Sequence, residues 1–111
     1  MDESKLPGEI DVQLLSRWRA EGRTLLLLDV REDWEREICR FDDALEIPLA
    51  QLPQRVGELP RDVPVVVLCH HGGRSARAVG WLQQAGVTNA INLDGGIDAW
   101  ARIVDPSMGV Y

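Results

Sequence analysis

Two uninterrupted apolar runs constrain this chain more than any other feature: TLLLLDV from Thr24 to Val30, and VPVVVLC from Val63 to Cys69. Neither alternates apolar with polar, so neither reads as a strand with one wet face, and both are too short for a typical globular helix. Runs of this length, bounded by polar or Gly-containing segments, fit strands of a parallel sheet covered on both faces. The covering helices are visible in the spacing. Val12, Leu14, Leu15 and Trp18 recur with helical period ahead of the first run. Ala76, Val79, Trp81, Leu82 and Ala85 do so after the second, with Gly86 placed as a C-terminal cap. ALEIPL, Ala44 to Leu49, and AINL, Ala90 to Leu93, are weaker strand candidates. The expectation is an α/β fold with a largely parallel sheet and helices on both faces.

The 111 residues fit one domain with a single core, preceded by a flexible segment over residues 1–8. Hydrophobic residues make up 45% and charged residues 27%, a globular balance. No window of about 18 apolar residues exists to span a membrane. The acidic start MDESKLPGEI lacks the basic and apolar regions of a secretory signal, so the expected location is cytoplasmic. A formal charge of -6 argues against nucleic acid as a partner. The two cysteines, Cys39 and Cys69, form neither a CxxC pair nor a zinc quartet and read as reduced thiols.

In open parallel sheets ligands sit beyond the carboxyl ends of the strands. Three polar clusters fall there: DVRED (Asp29 to Asp33), CHHGGRS (Cys69 to Ser75) and NLDGG (Asn92 to Gly96). CHHGGRS is the richest in chemistry. Cys69 ends a buried strand, a helix begins near Gly73 to Ser75, and Gly72 and Gly73 allow the tight turn between them. Backbone N–H groups in such a turn point inward as a nest for an anion, reinforced by the helix N-terminus. A thiolate is the anion at hand, and Arg74 adds charge that lowers the thiol pKa below its free value of about 8.5. The alternative is a buried structural thiol, the commoner fate of a free cysteine. His70 and His71 suggest metal ligands, but adjacent histidines rarely converge on one ion without a third ligand and the chain has no other histidine. They read instead as side chains at the pocket mouth, able to carry positive charge near neutral pH, and no metal or other cofactor is expected.

The run Cys69, His70, His71, Gly72, Gly73, Arg74 resembles the active-site loop of the rhodanese (sulfurtransferase) family, in which four residues separate cysteine from arginine. LLDVRED (Leu27 to Asp33), EIPL (Glu46 to Leu49) and LDGGIDAW (Leu93 to Trp100) are similar to family patterns and follow in the family's order. The resemblance implies a rhodanese-like three-layer domain with about five strands, and a persulfide mechanism. In it the Cys69 thiolate takes the outer sulfur of thiosulfate or a similar small donor, and a cyanide, thiol or protein acceptor removes it. The N–H groups from His70 to Ser75 would cradle the persulfide, and Arg74 would bind the donor's anionic group or brace the loop. The ending AWARIVDPSMGVY lacks the Gly-x-Pro of many relatives and is similar to the tail of rhodanese domains fused to adenylating sulfur-carrier enzymes.

Asp29 and Arg31 are supporting candidates. In similar proteins the aspartate buttresses the site, while the residues alone suggest that Asp29 caps or accepts in the DWERE turn. Glu32, Glu35 and Arg36 fit a solvated helical face. Gly95 and Gly96 read as a tight turn before the helix bearing a core Trp100, Arg77 as a surface charge, and Cys39 as a partly buried bystander rather than a resolving thiol. Two other functions compete. Phosphatases and arsenate reductases of related fold have one residue more between cysteine and arginine, a wider nest for a tetrahedral oxyanion. A non-catalytic binding module is the second, although many such modules lack the cysteine.

Overall fold

The computed structural model describes residues 7–111. Residues 1–6 of the expected flexible segment lie outside the described residues. Gly8 is already tied to the sheet, its carbonyl accepting from the Asn92 amide at 2.9 Å.

Five strands form one sheet: β1 (Glu9–Ile10), β2 (Leu26–Asp29), β3 (Leu45–Glu46), β4 (Val65–Leu68) and β5 (Ala90–Leu93), in the order β1-β5-β4-β2-β3. All the pairings are parallel. Both apolar runs are adjacent inner strands, Leu26 to Asp29 aligning with Val65 to Leu68. β1 is absent from the sequence reading because a two-residue strand carries no period of its own; β5 supplies its partner. β3 is shorter than the Ala44–Leu49 stretch that suggested it. Past Glu46 the Ile47 and Leu49 amides still bond to the carbonyls of Asp29 and Val30, but Pro48 has no donor and the chain turns into a short 3-10 helix at Leu49–Gln51.

Alternate strand residues build two cores. Leu27, Val66, Leu68, Ile91 and Leu93 face α1 (Val12–Ala20), Phe41, Ile97 and Trp100. Leu28, Val65, Val67, Cys69 and Ala90 face Leu52, Leu59 and the helix α4 (Gly73–Gln84). This is the expected three-layer arrangement. α2 (Asp33–Ile38) follows β2, α3 (Leu52–Arg55) follows β3, and α5 (Gly96–Ala99) runs into a π-helical turn at Trp100–Val104. Val12, Leu15 and Trp18 of α1 are buried as their spacing suggested, and Trp100 packs edge-on against Phe41.

The α4 stripe is rotated from the expected one. It runs Ser75, Ala78, Val79, Leu82, whereas Ala76 and Ala85 are outside and Trp81 is 42% exposed. A polar residue, Ser75, takes the inward position because its hydroxyl serves the preceding loop. Gly86 closes the helix in a left-handed conformation (φ 95°), as a C-terminal glycine should. Among the described residues no helix is long and apolar enough to cross a membrane.

The chain leaves β2 toward β3 on one side and leaves β4 toward β5 on the other. The sheet therefore has its topological switch point between β2 and β4, where a crevice opens at the strand ends. Cys69 and Asp29 stand on its two sides.

Candidate active site

Cys69 directly follows β4, and the turn to α4 is folded around its sulfur. Gly72 adopts φ 111°, a conformation that strains any other residue, and serves as the N-cap of α4. This aims the Gly72 amide at Cys69 Sγ (3.1 Å), with the Ser75 amide at 3.4 Å and Ser75 Oγ at 3.3 Å. Burial pushes the thiol pKa up, but the Ser75 hydroxyl and the amides of Ser75, Gly72 and Arg74 outweigh it, so the thiol lies below its ordinary value. Of the amides from His70 to Ser75 expected to form an anion nest, those of Gly72 and Ser75 hydrogen-bond the sulfur.

Ser75 Oγ also contacts the Gly72 carbonyl (3.2 Å) and Asn92 Oδ1 (2.5 Å). One hydroxyl proton faces three acceptors, and a thiolate, being charged, is the strongest of them. Asn92 is held in turn by donating to Glu9 Oε2 at 3.0 Å.

The floor of the loop is fixed by the next crossover. Ile97 and Asp98 at the start of α5 donate to the carbonyls of Cys69 and His70 at 2.9 and 3.0 Å. Gly96 must be glycine for this approach: φ is 61°, and a Cβ would lie 2.5 Å from both carbonyl oxygens. The NLDGG cluster thus does more than make a turn, since it seats the cysteine loop.

Arg74 points across to α2. Its Nη2 and Nη1 bond Glu35 Oε1 and Oε2 at 2.6 and 2.8 Å. Glu35 is 2% exposed, not part of a solvated face, and Arg36 is buried beside it, its guanidinium bonding the Arg31 carbonyl and Asp33. Only Glu32 of that trio is exposed. The Arg74 guanidinium, with help from the Glu32 amide and Tyr111 hydroxyl, outweighs burial and lowers the Glu35 pKa to about 2. Glu35 in return raises that of Arg74. The sequence reading missed Glu35 because a Glu–Arg pair within DWERE looks like a surface pattern. Its i, i+3 relation to Glu32, a capping box, was the available signal.

Asp29 caps no helix. It is fully buried and accepts the Arg31 amide at 3.0 Å and the Arg31 guanidinium at 2.8 to 3.2 Å. The remaining Arg31 donors reach the carbonyls of Glu35 (3.3 Å) and Cys39 (2.8 Å) and the Tyr111 hydroxyl (3.0 Å). Among the described residues neither member of this pair hydrogen-bonds Cys69; they anchor α2 and, through it, Glu35. Cys39 is buried in the core on the opposite face of the sheet from Cys69, with no disulfide.

His70 and His71 stack at 3.9 Å, and Tyr111 stacks on His70 at 3.8 Å and 8°. Burial and the neighbouring His71 lower the His70 pKa, which disfavours positive charge on this ring. His71 is exposed, and Arg77 is exposed one turn on. Asp98 supplies the third ligand that the sequence argument found lacking: one ligand atom from each of His70, His71 and Asp98 falls within 4.8 Å of the others. The Nε2 atoms of His70 and His71 face Asp98 at 3.9 and 3.8 Å. The donor set does not suit a cation well, because Arg102 occupies both Asp98 oxygens at 3.0 Å.

The model of the rhodanese-like domain matches residues 11–103. A sulfurtransferase of Allochromatium vinosum is 42% identical over 86% of this chain and 89% of its own. The adenylyltransferase/sulfurtransferase MoeZ of Mycobacterium tuberculosis is 39% identical over 87% of this chain, which spans only 25% of that protein. The crystal structure of a rhodanese-related protein from Thermoplasma volcanium superposes with a TM-score of 0.77 at 33% identity, over 85% of this chain and 90% of that one. With the family model spanning most of its length and the fold matching in space, the chain belongs to the rhodanese-like domain family.

Proposed function

We propose that the protein is a sulfurtransferase that carries sulfane sulfur as a persulfide on Cys69. The Cys69 thiolate attacks the outer sulfur of thiosulfate or a similar donor; the new S–S bond forms as the donor's own S–S bond breaks, and sulfite leaves with the electron pair. A thiophilic acceptor such as cyanide or a thiolate then takes the outer sulfur and returns the Cys69 thiolate, a two-step covalent cycle. Charge balances in each half, so no oxidant or further cofactor is needed.

The observation that carries this reading is the ring of donors on Sγ, from the Gly72 and Ser75 amides and the Ser75 hydroxyl. Such fixed donors stabilise the thiolate before attack and again when the acceptor returns it. Arg74 braces the loop through Glu35 and adds positive charge that favours an anionic donor; His70 and His71 line the mouth. The likeness to proteins named adenylyltransferase/sulfurtransferase makes a protein acceptor the preferred physiological partner. Phosphatase or arsenate chemistry is disfavoured because four residues, not five, separate Cys69 from Arg74, which makes the smaller loop. The test is thiosulfate-to-cyanide transfer by the wild type and Cys69→Ala. Thiocyanate from the wild type alone is expected, and equal rates in the two proteins would refute the mechanism.

A further inference from the structure

Tyr111 bridges the Asp29–Arg31 and Glu35–Arg74 pairs behind the loop. Its Oη accepts from Arg31 Nη1 at 3.0 Å and donates to Glu35 Oε1 at 2.9 Å, while its ring lies flat on His70 and edge-on to Trp34 at 5.9 Å. Burial pushes its phenol pKa up to about 12, so the hydroxyl keeps its proton and remains a donor to Glu35.

The hydrogen-bond inventory of Glu35 shows what that proton does. A carboxylate offers about four lone-pair sites. In this protein Oε1 receives Arg74 Nη2 and Tyr111 Oη, and Oε2 receives Arg74 Nη1 and the Glu32 amide at 2.9 Å. All the sites are filled, and the carboxylate has one orientation. Among the described residues Arg74 has no other hydrogen-bond partner, so the direction of its guanidinium is inherited from Glu35. The hydroxyl of Tyr111 also links the Asp29–Arg31 pair to the Glu35–Arg74 pair, giving a chain of alternating charge from the end of β2 to the cysteine loop.

We propose that Tyr111 is a positioning residue: by bridging Arg31 and Glu35 it fixes the carboxylate that aims Arg74, and so sets the positive charge met by an anion approaching Cys69. What that anion is in the working enzyme rests on the sulfur-transfer reading above; the orientation of Arg74 does not.

The test uses two alkylating reagents of nearly equal size, anionic iodoacetate and neutral iodoacetamide, with modification read at the Cys69 peptide by mass spectrometry. The ratio of their rates cancels thiolate fraction and loop accessibility and reports the charge at the mouth. Arg74→Gln removes the cation while keeping an amide donor toward Glu35, and the ratio falls. Tyr111→Phe keeps the ring on His70 and Trp34 but loses the bridge; the ratio falls in the same direction by about threefold, the scale of a partly exposed charge interaction. In the double variant Tyr111→Phe adds nothing to Arg74→Gln, since its effect runs through that side chain. A ratio unchanged in Tyr111→Phe, or a further fall in the double variant, would overturn the proposal. A merely structural role slows or speeds both reagents alike and leaves the ratio where it was. If the wild type transfers no sulfur from thiosulfate, the proposed function fails while this ratio still decides the role of Tyr111.

Discussion

Replacing Gly96 with alanine strikes the contact that seats the cysteine loop. The new Cβ would lie 2.5 Å from the carbonyl oxygens of Cys69 and His70 and 2.7 Å from the His70 carbonyl carbon, all backbone atoms that no side-chain rotation can clear. The φ of 61° adds about 1–2 kcal/mol for a residue with a Cβ. Relief requires the loop and α5 to separate, which stretches the two hydrogen bonds from Ile97 and Asp98, each worth about 1 kcal/mol. The sum is about 3–4 kcal/mol, and a domain of this size loses on the order of 10–20 °C in melting temperature for it. Because the same separation moves Cys69 against the Gly72 and Ser75 amides, the thiol pKa rises with it. Thermal unfolding by circular dichroism and the pH dependence of iodoacetamide alkylation measure the two effects. Gly80→Ala is the control: it lies within α4 with open space around it, and an added methyl group there stabilises by about 0.5–1 kcal/mol. If Gly96→Ala melted and alkylated like the wild type, the claim that α5 holds the loop in place would be wrong.

Other consequences follow from the same geometry. Ser75→Ala removes one of the donors on Sγ, so the midpoint of the alkylation–pH curve moves upward; an unmoved midpoint would show that the hydroxyl bonds Asn92 rather than the sulfur. Arg31→Met strands a fully buried Asp29 carboxylate and lowers the urea unfolding free energy by about 3–5 kcal/mol, whereas a loss below about 1 kcal/mol would mean that water reaches Asp29. Glu35 titrates from 4.5 toward about 2, so its pairing contributes fully above the unfolded value and is lost as pH falls through about 2. Glu35→Gln is therefore less stable than wild type near neutral pH, with the gap closing as the solution is acidified; a gap independent of pH would contradict the ion pair.

The sheet could be read from the sequence because its two inner strands announce themselves as apolar runs, and because Cys69 with Gly72, Gly73 and Ser75 form a local unit whose geometry follows from neighbours in the chain. What the sequence concealed lies in contacts between distant segments. Glu35 and Arg36 look solvated in DWERE, and only the packing of α2 against the loop shows that Arg74 draws Glu35 inside. Asp98 converges on His70 and His71 through the α5 crossover, a juxtaposition that spacing along the chain does not encode. The stack on His70 depends on a ring that arrives from position 111. β1 was invisible for the same reason, being defined by its neighbour in the sheet and not by its own pattern.

The central claim is that Cys69 is the sulfur carrier, and intact-mass spectrometry after incubation with thiosulfate tests it most directly. The account predicts a gain of one sulfur atom, mapped to the Cys69 peptide, removed by cyanide with release of thiocyanate, and absent from Cys69→Ser. No gain in the wild type, or a gain located on Cys39, would contradict it.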